Sequence, residues 1–326
     1  MAYRVVAIYL RNLFMDTSPP SAPLSFSIGS VQRETGLSKD TLRVWERRYA
    51  FPQPERDAFG ERTYSLAQVE KLRLLKTLLD QGHRPSKIVH LGMDELRALG
   101  GQSGGSAVAA DDTSEERKDL LHYIALCKSY QFDQLRRELS QSLMRMGLFR
   151  FVVEVVAPLN AMVGARWANG TFAIFEEHLY TESVHVVMRN AIASIPPQPA
   201  TSGPRILLTT FPQESHGLGL LMAEAIFALE GACCISLGVQ TPIIDIAQAA
   251  QANEADVVAL SFSSAMNPNQ VLEGLADLRS KLAPSVRIWV GGGSSVLYRR
   301  PPEFVRVVDL HEVRHLIEEW RGQHAA

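Results

Sequence analysis

Two stretches of this chain cannot bury a core, and they cut its 326 residues into three blocks. The first is Gly100-Gly-Gln-Ser-Gly-Gly-Ser106, continuing to Asp112, a flexible linker by composition. The second is Ile195-Pro-Pro-Gln-Pro-Ala-Thr-Ser-Gly-Pro204, rich in proline and small residues. The expected organisation is a first domain over 24–97, a linker over 98–113, a second domain over 114–195 and a third over 204–326. Each block has its own apolar rhythm. The middle block repeats at helical period and reads as four helices, Leu120 to Tyr130, Phe132 to Met146, Phe149 to Trp167 and Ile174 to Ala193. The last block alternates instead. Apolar runs Ile206–Thr210, Cys233–Leu237, Val257–Phe262, Ile288–Val290 and Val305–Val308 are each followed by a helix-like stretch, which argues a parallel, doubly wound sheet.

Charge separates the blocks as well. The formal net charge of −2 would seem to exclude a nucleic-acid binder. It averages two unlike parts. Residues 1–97 carry 15 Lys+Arg against 11 Asp+Glu, and the remainder carries 18 against 24. Only the basic head needs to meet phosphate. Three cysteines, Cys127, Cys233 and Cys234, cannot make a disulfide framework, and the adjacent pair reads as two buried free thiols in a reducing compartment. The apolar stretch Val5 to Met15 is interrupted by Arg11, falls short of the roughly 20 residues of a membrane span and lacks a small-residue cleavage site. Met15 is an alternative start to Met1. The expectation is a cytoplasmic chain without a membrane partner.

In the first block, a short helix from Ser27 meets a glycine turn at Gly36, and Ser38 is placed to cap a helix from Lys39 to Tyr49. Leu42, Trp45 and Tyr49 share one face of it, while Lys39, Arg43 and Arg47 recur at i+4 steps on another. Phe51 to Tyr64 reads as a short hairpin, and Ser65 caps a helix through Gln81. A cationic helix after a tight turn suits the major groove, where arginine bonds guanine bidentately. Arg48, Arg56 and Arg62 are placed for phosphates. From spacing alone, a solvated helix face fits equally well. The residues Ser27-Ile-Gly-Ser-Val-Gln-Arg-Glu-Thr-Gly-Leu-Ser-Lys-Asp-Thr-Leu-Arg-Val-Trp-Glu-Arg-Arg-Tyr49, then Gly60-Glu-Arg-Thr-Tyr-Ser65, resemble the DNA-binding domain of MerR-type transcription regulators. The resemblance implies a winged helix-turn-helix with DNA contacts from Thr41, Arg43, Arg47, Arg48 and wing Arg62, with Lys39 beside them. It also implies binding to double-stranded promoter DNA as a dimer or higher oligomer. The dimerisation helix usual after such a domain is missing here, so association is expected to come from the later blocks.

In the last block, Phe211-Pro-Gln-Glu-Ser-His-Gly-Leu-Gly219 follows the first strand, where parallel sheets bind ligands. His216, with Glu214 two residues earlier, can present a neutral imidazole to a metal while the carboxylate fixes its tautomer. A hydrogen-bonded bystander histidine is the other reading, and zinc is disfavoured for want of partner ligands. Glu214-x-His216-x-x-Gly219 resembles the signature of Rossmann-like B12-binding domains, with Ser261-Phe-Ser263 and Gly291-Gly-Gly293 as the family's two later elements. The second of the three elements departs from the pattern, having Ser263 where leucine is usual. The resemblance implies His216 as the lower axial cobalt ligand. It also implies a slot for the cofactor's nucleotide tail beside the small residues Ser261, Ser263, Gly291 and Gly292.

The middle block carries Trp167, then Glu177 and His178. Taken alone, these are a core tryptophan and a surface pair. Their spacing resembles the helix-bundle signature of the CarH/CarA/LitR group of cobalamin-binding MerR-type regulators, where they line the pocket over the upper ligand of adenosylcobalamin. The fold class implied is multidomain α and α/β: a winged helix-turn-helix, a four-helix bundle and a Rossmann-like doubly wound B12-binding domain. The function implied is a cobalamin-dependent repressor, a homo-oligomer (dimer or tetramer) switched by adenosylcobalamin and light. One departure matters. Light-sensing members can carry a histidine directly after the tryptophan as a second cobalt ligand, and here that position is Ala168. His178 or His185 could take the role instead. A light-independent regulator sensing cobalamin or a protein partner therefore stays open. A corrinoid enzyme subunit is the weaker alternative, since no residues are left for a catalytic barrel.

Overall fold

A computed structural model of the chain describes residues 25–80, 82–102, 116–196 and 203–324. The apolar stretch before Met15 and the two candidate starts lie outside them. The chain forms two compact units, one from residues up to 76 with 85–90, the other from 77–84 and from 91 onward.

In the first unit, β1 (Ser25–Ser27) leads into α1 (Ile28–Thr35), and α2 (Lys39–Tyr49) follows. Gly36 makes the turn with φ 69°, a conformation that only glycine adopts without cost. The Ser38 hydroxyl accepts the Thr41 N–H at 3.0 Å, so the expected cap is in place. β2 (Glu55–Arg56) and β3 (Arg62–Ser65) make the expected hairpin, and β1 pairs with the other edge of β3 to give the antiparallel order β1-β3-β2. α3 (Leu66–Asp80) and the single turn α4 (Pro85–Ile88) follow. The core is Val31, Leu42, Trp45, Tyr64, Val69, Leu72 and Leu75. Trp45 is thus a packing residue, whereas Tyr49 is only half-buried.

The second unit starts with α5 (Met93–Gln102), which packs against a later bundle helix. Residues 98–102, expected to open the linker, are therefore helical, and 103–113 lie outside the described residues. The bundle proper is α6 (Glu116–Lys128), α7 (Phe132–Met146), a long helical run and α10 (Ile174–Ala193). The long run was expected as one helix. It comprises α8 (Leu148–Arg150), a π-helical turn (Phe151–Val156) and α9 (Ala157–Ala168). Pro158 has no N–H to offer the Glu154 carbonyl, so the turn before it widens and the Ala157 N–H bonds Val152 O instead. Leu148–Trp167 is long and apolar enough to cross a membrane. Here it packs Phe151, Val152, Val156 and Leu159 into the core.

The third block is a five-stranded parallel sheet with helices on both faces. Its elements are β4 (Arg205–Thr209), α11 (Leu218–Leu229), β5 (Cys233–Gly238), α12 (Ile243–Ala252), β6 (Val257–Phe262) and α13 (Pro268–Lys281). They continue as β7 (Arg287–Gly292), α14 (Ser295–Arg299), β8 (Val305–Val307) and α15 (Val313–His324). Strand order is β5-β4-β6-β7-β8. β6 is buried on both sides, as its unbroken apolar run requires. Leu207, Val258, Leu260 and Ile288 face a core shared with α12 and α13. Ile206, Leu208, Ala259 and Trp289 face the other way, into a core continuous with the helical bundle. Bundle and sheet domain thus share one apolar interior.

One expectation needs correcting. Cys233 and Cys234 are only half-buried, because β5 is an edge strand paired on one side only, unlike β6. Cys127 is buried. Burial pushes the Cys127 and Cys234 thiols up to about 12, which keeps both protonated and unreactive.

Candidate cofactor and DNA sites

In a sheet of this order the connections from β4 and β6 leave in opposite directions, so a crevice opens between their carboxyl ends. Both loops meet there. The Glu214 carboxylate, 1% exposed, accepts the His216 Nδ1–H at 2.6 Å and the His216 N–H at 3.0 Å through one oxygen. Its other oxygen accepts the Ser263 N–H at 2.7 Å. Burial alone would raise this carboxyl, but the bonds from His216 and Ser263 outweigh it and hold it below the usual carboxylate range. With Nδ1 committed to Glu214, the half-exposed imidazole keeps Nε2 as its ligating nitrogen. The hydrogen bond to Glu214 raises His216, and the Glu177 carboxylate of the bundle adds to the effect. Glu177 is therefore within electrostatic reach of His216, across the boundary between bundle and sheet.

Beside this loop, between α11 and strands β6 and β7, lies a cavity of about 210 Å³ lined by Gly219, Ala223, Ser261, Trp289, Gly291 and Gly292, among others. A Cβ at Gly219 would stand 2.6 Å from Ser261 Oγ, so a larger residue there would force the Ser261 hydroxyl to rotate away. Gly292 has φ 107°, and a Cβ there would lie 2.3 Å from Phe262 O. Three of the four expected slot residues, Ser261, Gly291 and Gly292, come together here with Gly219. Ser263 does not line the cavity; its N–H serves Glu214 instead. Sequence reasoning missed Tyr298 and Asp309 at the cavity mouth, where the Tyr298 hydroxyl donates to Gly292 O at 3.0 Å.

The residues fit a cobalamin. One histidine is held by a buried carboxylate with its outer nitrogen presented, and glycines keep an apolar slot beside it. The buried Nε2 of His185 has no hydrogen-bond partner among the described residues and lies against Gly217, next to His216.

On the bundle side, Glu177 accepts the Thr181 hydroxyl at 2.7 Å and pairs with the exposed His178 Nδ1 at 2.7 Å. Trp167, at the end of α9, is half-buried against the shared core. The start of α10 is fixed by the buried Glu176, which accepts the Ala173 N–H at 2.8 Å and Lys128 Nζ at 2.8 and 2.9 Å. Burial pushes Glu176 up, yet the Lys128 and Ala173 bonds prevail and leave it lowered. A carboxyl lowered in the folded state contributes stability above its unfolded pKa and loses it as pH falls through the folded value. Glu176→Gln is accordingly expected to destabilise the unit by roughly 1–3 kcal/mol at neutral pH. Urea titrations should show the gap to wild type closing as pH falls below about 4.

The DNA face is built on α2. Lys39, Arg43, Arg47 and Arg48 are exposed, Arg43 Nη1 pairs with Asp40 at 3.1 Å, and the Arg48 guanidinium lies 5.4 Å from the Tyr49 ring centre. Thr41 is half-buried, its hydroxyl 2.8 Å from that of Ser38. Wing Arg62 differs from expectation in being partly spent. Its Nε donates to Glu46 at 3.0 Å, and the Tyr64 hydroxyl donates to the same carboxylate at 2.8 Å. Glu46 thus pins the wing to the recognition helix.

Comparison with known proteins agrees with this division. Residues 26–91 match the MerR HTH family of regulatory proteins, 204–309 match the B12 binding domain and 116–191 match a second B12 binding domain family. The chain is 27% identical over 274 residues to the HTH-type transcriptional repressor CarH of Myxococcus xanthus, covering 84% of this chain and 91% of the relative. It is also 27% identical over 276 residues to the repressor CarA of the same organism, covering 82% and 87%. A monomethylamine corrinoid protein structure from Methanosarcina barkeri aligns with 56% of this chain and 89% of its own, at 15% identity and a TM-score of 0.44.

Proposed function

Because the chain belongs to the MerR-type transcription regulators that carry B12-binding domains, we propose that it is a repressor whose assembly and DNA affinity are switched by adenosylcobalamin and light. The chain is a cobalamin-binding transcription regulator and not an enzyme. The switching is read from the Glu214–His216 pair at the sheet crevice, with Glu177 of the bundle within electrostatic reach of it.

In this reading His216 would hold cobalt through Nε2, while Glu214 accepts the Nδ1–H and so keeps the ring from flipping or changing tautomer. Gly219, Ser261, Gly291 and Gly292 admit the nucleotide tail. Ser263 contributes its N–H to the carboxylate that orients the ligand. Trp167, Glu177 and His178 close the upper side. Bound adenosylcobalamin would supply a cobalt–carbon bond that light can break. Lys39, Thr41, Arg43, Arg47, Arg48 and Arg62 engage promoter DNA in the cytoplasm, and a dimer or tetramer multiplies weak single contacts through effective concentration. A ligand changes DNA affinity here only by favouring one assembly state over another.

The test is size-exclusion chromatography and DNA binding with adenosylcobalamin, in the dark and after green light, on a duplex enriched from random-sequence DNA by the loaded dark protein. The expected result is a dark oligomer that binds, and after illumination a smaller species bound at least tenfold more weakly. Identical assembly and affinity in every condition would remove the photoreceptor reading. Ala168 in place of a second histidine favours one other reading, a light-independent response to cobalamin or a protein partner. A shift on adding cobalamin with none on illumination would select it.

A further inference from the structure

His185 lies on α10 two turns beyond the Glu177–His178 pair, and the cofactor and DNA contacts of the proposed function do not use it. Its Nε2 is buried and has no hydrogen-bond partner among the described residues. A Cβ built on Gly217 would lie 3.9 Å from that nitrogen and 4.0 Å from Cε1, so the imidazole edge rests on the residue following His216. Burial lowers its pKa, which leaves the ring neutral at pH 7 with one N–H and one lone pair. Four residues further along the same helix, Arg189 Nη1 reaches both oxygens of the buried Glu224 at 2.7 Å. That ion pair clamps α10 onto α11 and holds His185 against the loop.

A buried polar nitrogen left unpaired costs about 1–3 kcal/mol, and a fold keeps such a group at a ligand site when the ligand supplies the partner. His185 lies against the His216 loop, and Glu177, eight residues earlier on the same helix and about 12 Å away, acts on His216 electrostatically. A corrin held on His216 would lie beside this helix. The edge of a corrin carries amide side chains, each offering both an N–H and a carbonyl, so either tautomer of His185 finds a complement.

We propose that His185 is a cofactor-binding residue that hydrogen-bonds a peripheral amide of the corrin through Nε2, beside the axial ligand rather than on the metal. This rests on the cobalamin reading of the His216 site and adds a contact to it.

The test compares wild type, His185→Leu and His185→Gln for adenosylcobalamin affinity, for the visible spectrum of the loaded protein and for urea stability of the cofactor-free protein. The leucine variant should bind roughly tenfold or more weakly, with an unchanged axial-ligand spectrum. Its cofactor-free stability should be equal or higher, because an unpaired buried nitrogen has been removed. Glutamine, which retains a hydrogen-bonding head, should recover most of the affinity. A purely structural His185 would instead give a leucine variant that loses cofactor-free stability, and that result overturns the proposal. Unchanged affinity overturns it too, as does an altered axial-ligand spectrum, which would place His185 on cobalt. If wild type binds no cobalamin at all, the underlying reading fails first, and that outcome is distinct from the others.

Discussion

Gly292→Ala is expected to destabilise the sheet domain by about 3 kcal/mol or more and to abolish cobalamin uptake. Two independent penalties meet at this position. The backbone has φ 107°, which an L side chain rarely adopts, and the new methyl would lie 2.3 Å from Phe262 O and 3.0 Å from Phe262 C and N. Neither strand can give way, since Gly292 pairs with Phe262 in the parallel ladder and the Phe262 ring is fully buried. A denaturant midpoint shifted down with an unchanged slope would report the loss. Gly293→Ala is the control. Its added methyl would meet Ser264 N at 3.5 Å and Ser264 Cβ at 3.8 Å, both ordinary contacts, so a change within about 0.5 kcal/mol is expected. Equal effects at the two positions would show that the carboxyl end of β7 is not the constraint described.

His216→Ala should leave the cofactor-free fold intact and weaken cobalamin binding by about 100-fold or more, with loss of the histidine-on spectrum. The ring is half-exposed, so little packing goes with it. A variant that kept the histidine-on spectrum would end the assignment of His216 to cobalt. Glu214→Gln separates orientation from ligation. It preserves volume but replaces an acceptor for three hydrogen bonds with a group that can accept at one position only, so a 10–100-fold loss with the histidine-on spectrum retained is expected.

What the sequence made legible was local. The turn at Gly36, the cap at Ser38, the recognition helix, the five strands and the Glu214-x-His216-x-x-Gly219 loop all follow from residues within a few positions of one another. What stayed hidden depends on distant neighbours. β1 is three residues long and exists because β3 offers it an edge. The half-burial of Cys233 and Cys234 follows from β5 lying at the sheet edge, which alternation within β5 cannot reveal. α5 runs on through Gly100 and Gly101, against their composition, where it packs on α9. The site divides in the same way. The Glu214–His216 pair is written in three consecutive residues, whereas the approach of His185 to Gly217 joins residues from two different domains.

The apolar interior common to the bundle and the sheet sets the kind of motion a signal can drive. Lifting the bundle away as a rigid lid would bare the apolar faces that α8, α9 and α10 pack against α11. At about 25 cal/mol per Å², exposing even 400 Å² of that surface costs about 10 kcal/mol. A sliding displacement of α10 across α11 keeps most of it covered and needs only the Arg189–Glu224 pair to re-register. If the proposed coupling of cofactor to assembly holds, this interior favours shear as its motion and resists a hinge.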